Sequence, residues 1–225
     1  MSLVCSQTRD YQSDSLDQFV AVSVANGSLK HRWIDTSSTM SLSGSVVNSW
    51  TDTVSNVKMN RSGSPTVNAT TGVNVDYSNF FQVSGVSAFK SYAALAFWEN
   101  SGSRSQFPIL CDSSNYSYHG GGVSNSGVIA AGYAHSYVKN SYIYDKLGYV
   151  GLGTTAPLSR WYNQWNVFIM TYSSNLPSFN RIGRDREYHE FNGKIKEIMF
   201  FTVDLYANTD LRNQVTTYLA SRIPA

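Results

Sequence analysis

The sequence predicts an all-β fold: a two-sheet antiparallel sandwich with one C-terminal α-helix. Three observations carry this. Strand and turn formers dominate, with 34 Ser, 18 Asn, 16 Gly, 15 Tyr and 11 Phe in 225 residues. Short apolar segments alternate with turn signals about every 8–12 residues, the spacing of sandwiches. Only one segment, near the C-terminus, carries helical periodicity. The organisation read from this is an N-terminal arm at residues 1–18, then one sandwich domain at 19–225 with its helix at 208–221.

The elements follow in order. Residues 1–18 lack apolar periodicity. Phe19-Val-Ala-Val-Ser-Val24 reads as a strand ending at the Asn26-Gly27 turn signal. Leu29 to Ile34 is a second strand, Ser37 to Gly44 a loop, and Val46 to Trp50 a short strand followed by polar turns through Pro65. Gly72 to Tyr77 alternates, with Val73, Val75 and Tyr77 on one face, and Phe80 to Val83 follows. Tyr92 to Trp98 is continuously apolar, as a central strand buried on both faces would be, and Phe107 to Cys111 is similar. Residues 113–159 form a Gly/Ser/Tyr-rich tract with weak strands. Trp165 to Tyr172 is the strongest strand. Asn192-Gly193 reads as a hairpin turn before the strand Lys194 to Phe201, whose Ile195, Met199 and Phe201 share one parity and Ile198 and Phe200 the other. Asn208 or Thr209 caps the helix, and Leu211, Val215, Tyr218 and Leu219 form its apolar face.

Composition removes several functions. Charged residues are 14% of the chain, against about 25% ordinarily. Disorder needs low hydrophobicity and high net charge, and here 42% is hydrophobic with a net charge of +2. Seventeen basic residues against fifteen acidic ones leave no excess to neutralise phosphates, so no nucleic-acid partner is expected. No stretch approaches about 18 consecutive apolar residues, so no membrane insertion is expected. Met1 to Asp10 has neither a basic nor an apolar segment, so no signal peptide is expected. Cys5 and Cys111 show no metal or redox spacing and read as free thiols, Cys111 partly buried.

Five segments carry a family resemblance. Arg32-Trp33-Ile-Asp35-Thr-Ser, followed by Val47-Asn-Ser-Trp50-Thr-Asp52, resembles the opening of concanavalin A-like (laminin-G-like) jelly-roll domains. Phe191-Asn-Gly-Lys-Ile-Lys-Glu-Ile-Met-Phe200, then Leu205 and Val215-x-x-Tyr-Leu219, is similar to that family's closing strand and helix. Trp165 to Tyr172 and Ala94 to Trp98 sit where the family has its central strands. The resemblance spans about residues 29–221 and implies a jelly-roll topology. The fold is shared by lectins, glycan-binding modules, glucanases and virion proteins, so it implies no single function.

Hydrolysis of glycosides needs two carboxylates about 5–9.5 Å apart. The family's glucanases carry Glu-x-Asp-x-(x)-Glu. This chain offers Asp185-Arg-Glu187-Tyr-His-Glu190, in the wrong order and among arginines, which reads as a solvated loop. It has only four Glu in all, so no enzyme is expected. Gly151-Leu-Gly153 is no phosphate loop, and His31, His119, His135 and His189 show no metal-binding spacing. Asp112 with Asn115, or Asp145, could contribute to a calcium site, but no DxDxDG loop exists and no cofactor is expected.

Binding fits better. Sugars present apolar ring faces and hydroxyls, which call for flat aromatics and uncharged polar groups. Tyr116, Tyr118, His119, Tyr133, Tyr137, Tyr142, Tyr144 and Asp145 supply that set within the Gly/Ser-rich tract, against the plain alternative of strand-packing tyrosines. Trp33, Trp50 and Trp98 read as core, and Trp161, Tyr162 and Trp165 as core and edge packing. With no signal peptide, no catalytic set and low charge, the expected setting is a virion surface. The expected role is a phage tail receptor-binding component or capsid decoration. The arm at 1–18 would dock on other virion subunits, the chain would form a homo-oligomer, and the sandwich would meet cell-surface glycan, with weak contacts multiplied by avidity. The rivals are a purely structural subunit clamp, an extracellular lectin, and a polysaccharide-degrading enzyme using Glu187 or Glu190.

Overall fold

The computed structural model describes residues 18–68, 70–86, 88–99, 110–111, 122–123, 129–130, 138–145, 148–151, 160–176, 179–184 and 191–224. Its strands build two antiparallel sheets that face each other. The larger runs β13 (Gly148–Gly151), β12 (Val138–Asp145), β14 (Gln164–Leu176), β8 (Phe89–Trp98), β16 (Gly193–Phe201), β6 (Gly72–Val75), β5 (Val67–Asn68), with β1 (Leu29–Ile34) also on β16. The smaller runs β2 (Met40–Ser43), β3 (Val46–Thr51), β4 (Lys58–Ser62), β7 (Phe80–Val83), β15 (Arg181–Ile182), β9 (Leu110–Cys111). A short ribbon pairs β10 (Gly122–Val123) with β11 (Ile129–Ala130). The predicted all-β two-sheet sandwich is therefore the architecture.

Alternation explains both cores. From β8, Tyr92, Ala94, Ala96 and Trp98 point between the sheets, while Ala93 and Leu95 point outward. The inner core adds Trp33, Trp50, Phe81, Phe168, Met170 and Phe200. The outer apolar face of the larger sheet is covered by helix α2 (Thr209–Ser221), through Val215, Tyr218 and Leu219. That cover is why β8 and β14 are apolar on both faces. Asn208 caps α2, its side chain accepting from the Leu211 N–H at 3.1 Å.

Several expectations are corrected. Residues 18–25, read partly as arm and then as a strand at Phe19 to Val24, are helical (α1). A short apolar run fits either period, and tertiary packing decides. Phe19 and Ser23, one turn apart, are the buried pair, with Phe19 against Tyr218 at 5.8 Å. Gly27, at φ +74°, stops the helix. So the molecule has a helix besides the C-terminal one. The loop read at 37–44 contains β2, turned into β3 by Gly44-Ser45 with Gly44 at φ +60°. The polar turns read through Pro65 contain β4, whose Met59 is its one core residue. Tyr77 lies beyond the end of β6 and is exposed, not on the Val73–Val75 face.

Asn192-Gly193 is not a hairpin turn. Gly193 begins β16, a central strand lying between β8 and β6, and the strand before it among the described residues, β15, belongs to the other sheet. Nor does one parity hold along β16. A bulge falls between Ile195 and Glu197 against β8. Ile195 therefore joins Ile198 and Phe200 in the inner core, and Met199 and Phe201 face the helices. The extra residue turns Glu197 toward α2, the re-aiming that bulges perform.

Candidate functional site

The aromatic set predicted from sequence is only partly placed. Tyr116, Tyr118, His119, Tyr133 and Tyr137 lie outside the described residues, as do Asp112, Asn115 and the stretch 185–190. Tyr142, Tyr144 and Asp145 are on β12. Register sets Tyr142 opposite Ile169 and Tyr144 opposite Val167. Cross-strand partners share a face, so positions 142 and 144 fall on the outer face of the larger sheet. Asp145, one residue on, falls on the other face. Among the described residues no group of three His, Cys, Asp or Glu could hold a metal ion.

The smaller sheet presents a different feature. Ser41, Ser49, Asn60, Gln82 and Arg181 are successive Cα partners across β2, β3, β4, β7 and β15. Their neighbours Trp50, Met59, Phe81, Val83 and Ile182 are all in the inner core. Alternation therefore places the five polar residues on the outer face. A cleft of about 330 Å³ opens on this row, lined by Asn60, Gln82, Val83, Ser84, Asn180 and Arg181. That volume is at the low end for small-ligand sites. Among the described residues its polar side chains are three amides, one hydroxyl and one guanidinium, with no carboxylate. The Arg181 guanidinium lies 5.4 Å from the Phe80 ring centre. Sequence reading missed this row because its members sit on five separate short strands. Only knowledge of register brings them into line.

Two buried polar clusters serve the fold. The first joins β1 to the loop after β3. Asp52 accepts backbone N–H bonds from Arg32 at 2.8 Å and Val54 at 2.7 Å, and its other oxygen is 2.6 Å from His31 Nδ1. The Ser55 hydroxyl donates to the same carboxylate and lies 2.7 Å from that nitrogen. A Ser-His-Asp relay needs serine and aspartate on opposite ring nitrogens; here both crowd Nδ1. In the sequence His31 reads as a surface or strand histidine, and the structure buries it on β1; its partner Asp52 is visible there only as the end of the Trp-x-Asp motif. Burial opposes the Asp52 charge, but the bonds from His31, Ser55, Arg32 and Val54 outweigh it and hold the carboxyl below its ordinary value of 3.8. A depressed carboxyl stabilises the fold above its unfolded pKa, and that share is lost as pH falls through the folded value. In Asp52→Asn the charge is absent at every pH. The stability gap between wild type and Asp52→Asn, measured by urea unfolding, is thus expected to be widest near neutrality and to narrow below about pH 4.

The second cluster ties α2 to the larger sheet. Glu197 is fully buried, with Arg32 Nε at 2.7 Å, Arg222 Nε at 2.8 Å and the Tyr218 hydroxyl at 3.1 Å from each oxygen. Asp35 pairs with Lys196 at 3.4 Å and Arg222 at 3.3 Å. No substrate can reach Glu197. No protein-family model, curated protein or solved structure matches this chain.

Proposed function

We propose that the protein is a non-catalytic surface protein, set on a virion exterior, that contacts glycan through the outer face of its smaller sheet. The observation that carries this is the polar row with its cleft: Asn60, Gln82, Ser84 and Asn180 supply paired donors and acceptors, with no carboxylate among the described lining residues. Sugar hydroxyls need such groups, and hydrolysis would need carboxylates, of which the described lining has none. The low overall charge and the exposure of Ser41, Asn60 and Gln82 support the same reading. The test is a glycan array probed with wild type and with Asn60→Ala/Gln82→Ala. Wild type is expected to retain defined glycans. The double variant is expected to bind them at least tenfold more weakly, since each lost hydrogen bond costs about 1 kcal/mol. Both residues are exposed, so the variant's unfolding free energy, read from thermal denaturation, should stay within about 0.5 kcal/mol of wild type. An empty array defeats the proposal.

One observation favours the subunit-clamping alternative. On α1, Val22 is 54% and Val24 40% exposed, two apolar side chains on different sides of the helix, just after the segment predicted to dock on other subunits. If removing residues 1–17 dissolves an oligomer seen by sedimentation while glycan binding is absent, the clamp replaces the lectin.

A further inference from the structure

The polar row has a direction. Adjacent strands lie about 4.8 Å apart, so five positions span about 19 Å at right angles to the strands. The cleft takes in Asn60, Gln82 and Arg181, and Ser49 and Ser41 continue the line to the β2 edge of the sheet. A pocket for one terminal sugar would converge its polar groups on a point. Here they stand in line at even spacing. Four of the five are hydroxyls or amides that both donate and accept. A sugar unit in an extended chain advances by close to one strand spacing, so each unit would meet the same chemistry. Resting on the glycan-binding reading, we infer that the ligand is a linear, neutral polysaccharide lying across the strands of the smaller sheet, about one sugar per strand, and gripped along its length rather than at its end.

The test is calorimetric titration of the full chain with linear oligosaccharides of glucose, mannose and N-acetylglucosamine, graded from single sugar to octasaccharide. In the series that binds, affinity is expected to rise about fivefold per added unit, one net hydrogen bond each, and to level off at four or five units. Ser41→Ala is expected to weaken the longest chain about fivefold and leave the disaccharide unchanged. A single sugar binding as tightly as the octasaccharide overturns the inference but keeps the glycan reading, as does an unchanged octasaccharide affinity in Ser41→Ala. No binding by any member overturns both.

Discussion

Glu197→Gln is expected to lower the free energy of unfolding by about 3–5 kcal/mol, read from urea denaturation with an unchanged slope. The carboxylate is wholly inside, between Arg32 on β1, Arg222 at the end of α2, and the Tyr218 hydroxyl. Burial pushes the Glu197 carboxyl up, while Arg32 and Arg222 pull against it. Burial, with the Glu197 charge second, likewise pushes the Tyr218 phenol up, so it stays protonated and donates. Glutamine keeps the shape and removes the charge, leaving two guanidiniums facing a neutral amide. Arg222 retains 27% side-chain exposure and can turn toward water; Arg32, at 15%, is more enclosed. The loss should concentrate where the cluster acts, so amide exchange in α2 is expected to speed up before that in β8. Replacing Glu197 and Arg32 together with leucines should recover much of the stability, because packed apolar side chains match a buried pair. A single-variant loss below about 1 kcal/mol would mean the cluster is merely tolerated.

Much of the sandwich is legible in the sequence where apolar residues cluster. β8 and β14 are continuous runs because both faces are covered, and α2 shows both its cap and its stripe. The misreadings have physical causes. β4 holds one core residue, Met59, and one apolar residue sets no period. β2 lies at an edge, where Ser41 and Ser43 face solvent, although Gly44-Ser45 is a hairpin signal in its own right. α1 is too short for its periodicity to separate helix from strand. The parity of β16 breaks at a bulge, and nothing in Ile-Lys-Glu-Ile announces the extra residue. Yet Glu197, a lone acid in a buried strand, already demanded partners on another element. The candidate site was the least legible. The aromatic tract stands out by composition, and its described members on β12 divide between two faces. The polar row of the smaller sheet is written one residue at a time between Ser41 and Arg181.

Gly193→Ala is expected to cost about 3 kcal/mol, the upper range for forcing atoms into a packed interior. The backbone there is ordinary, so the cause is space. A methyl group would lie 2.0 Å from the Phe97 carbonyl oxygen and 3.1 Å from the Phe191 ring. The oxygen is backbone and cannot rotate away. Gly193 pairs with Trp98 on one side and Val75 on the other, and the Glu99 N–H bond to the Asn192 carbonyl, at 3.0 Å, holds the strands at that separation. Relief requires β8 and β16 to part at the centre of the larger sheet, loosening Trp98 and Ile195 in the inner core. Gly44→Ala is the control. Gly44 has φ +60° and nothing within 4 Å of a built methyl group. Only backbone strain acts there, and it costs about 1 kcal/mol. Thermal and urea unfolding of the two variants should separate them by about 2 kcal/mol. Equal losses would show that the β8–β16 contact yields easily, and that glycine serves at position 193 for a reason other than close approach.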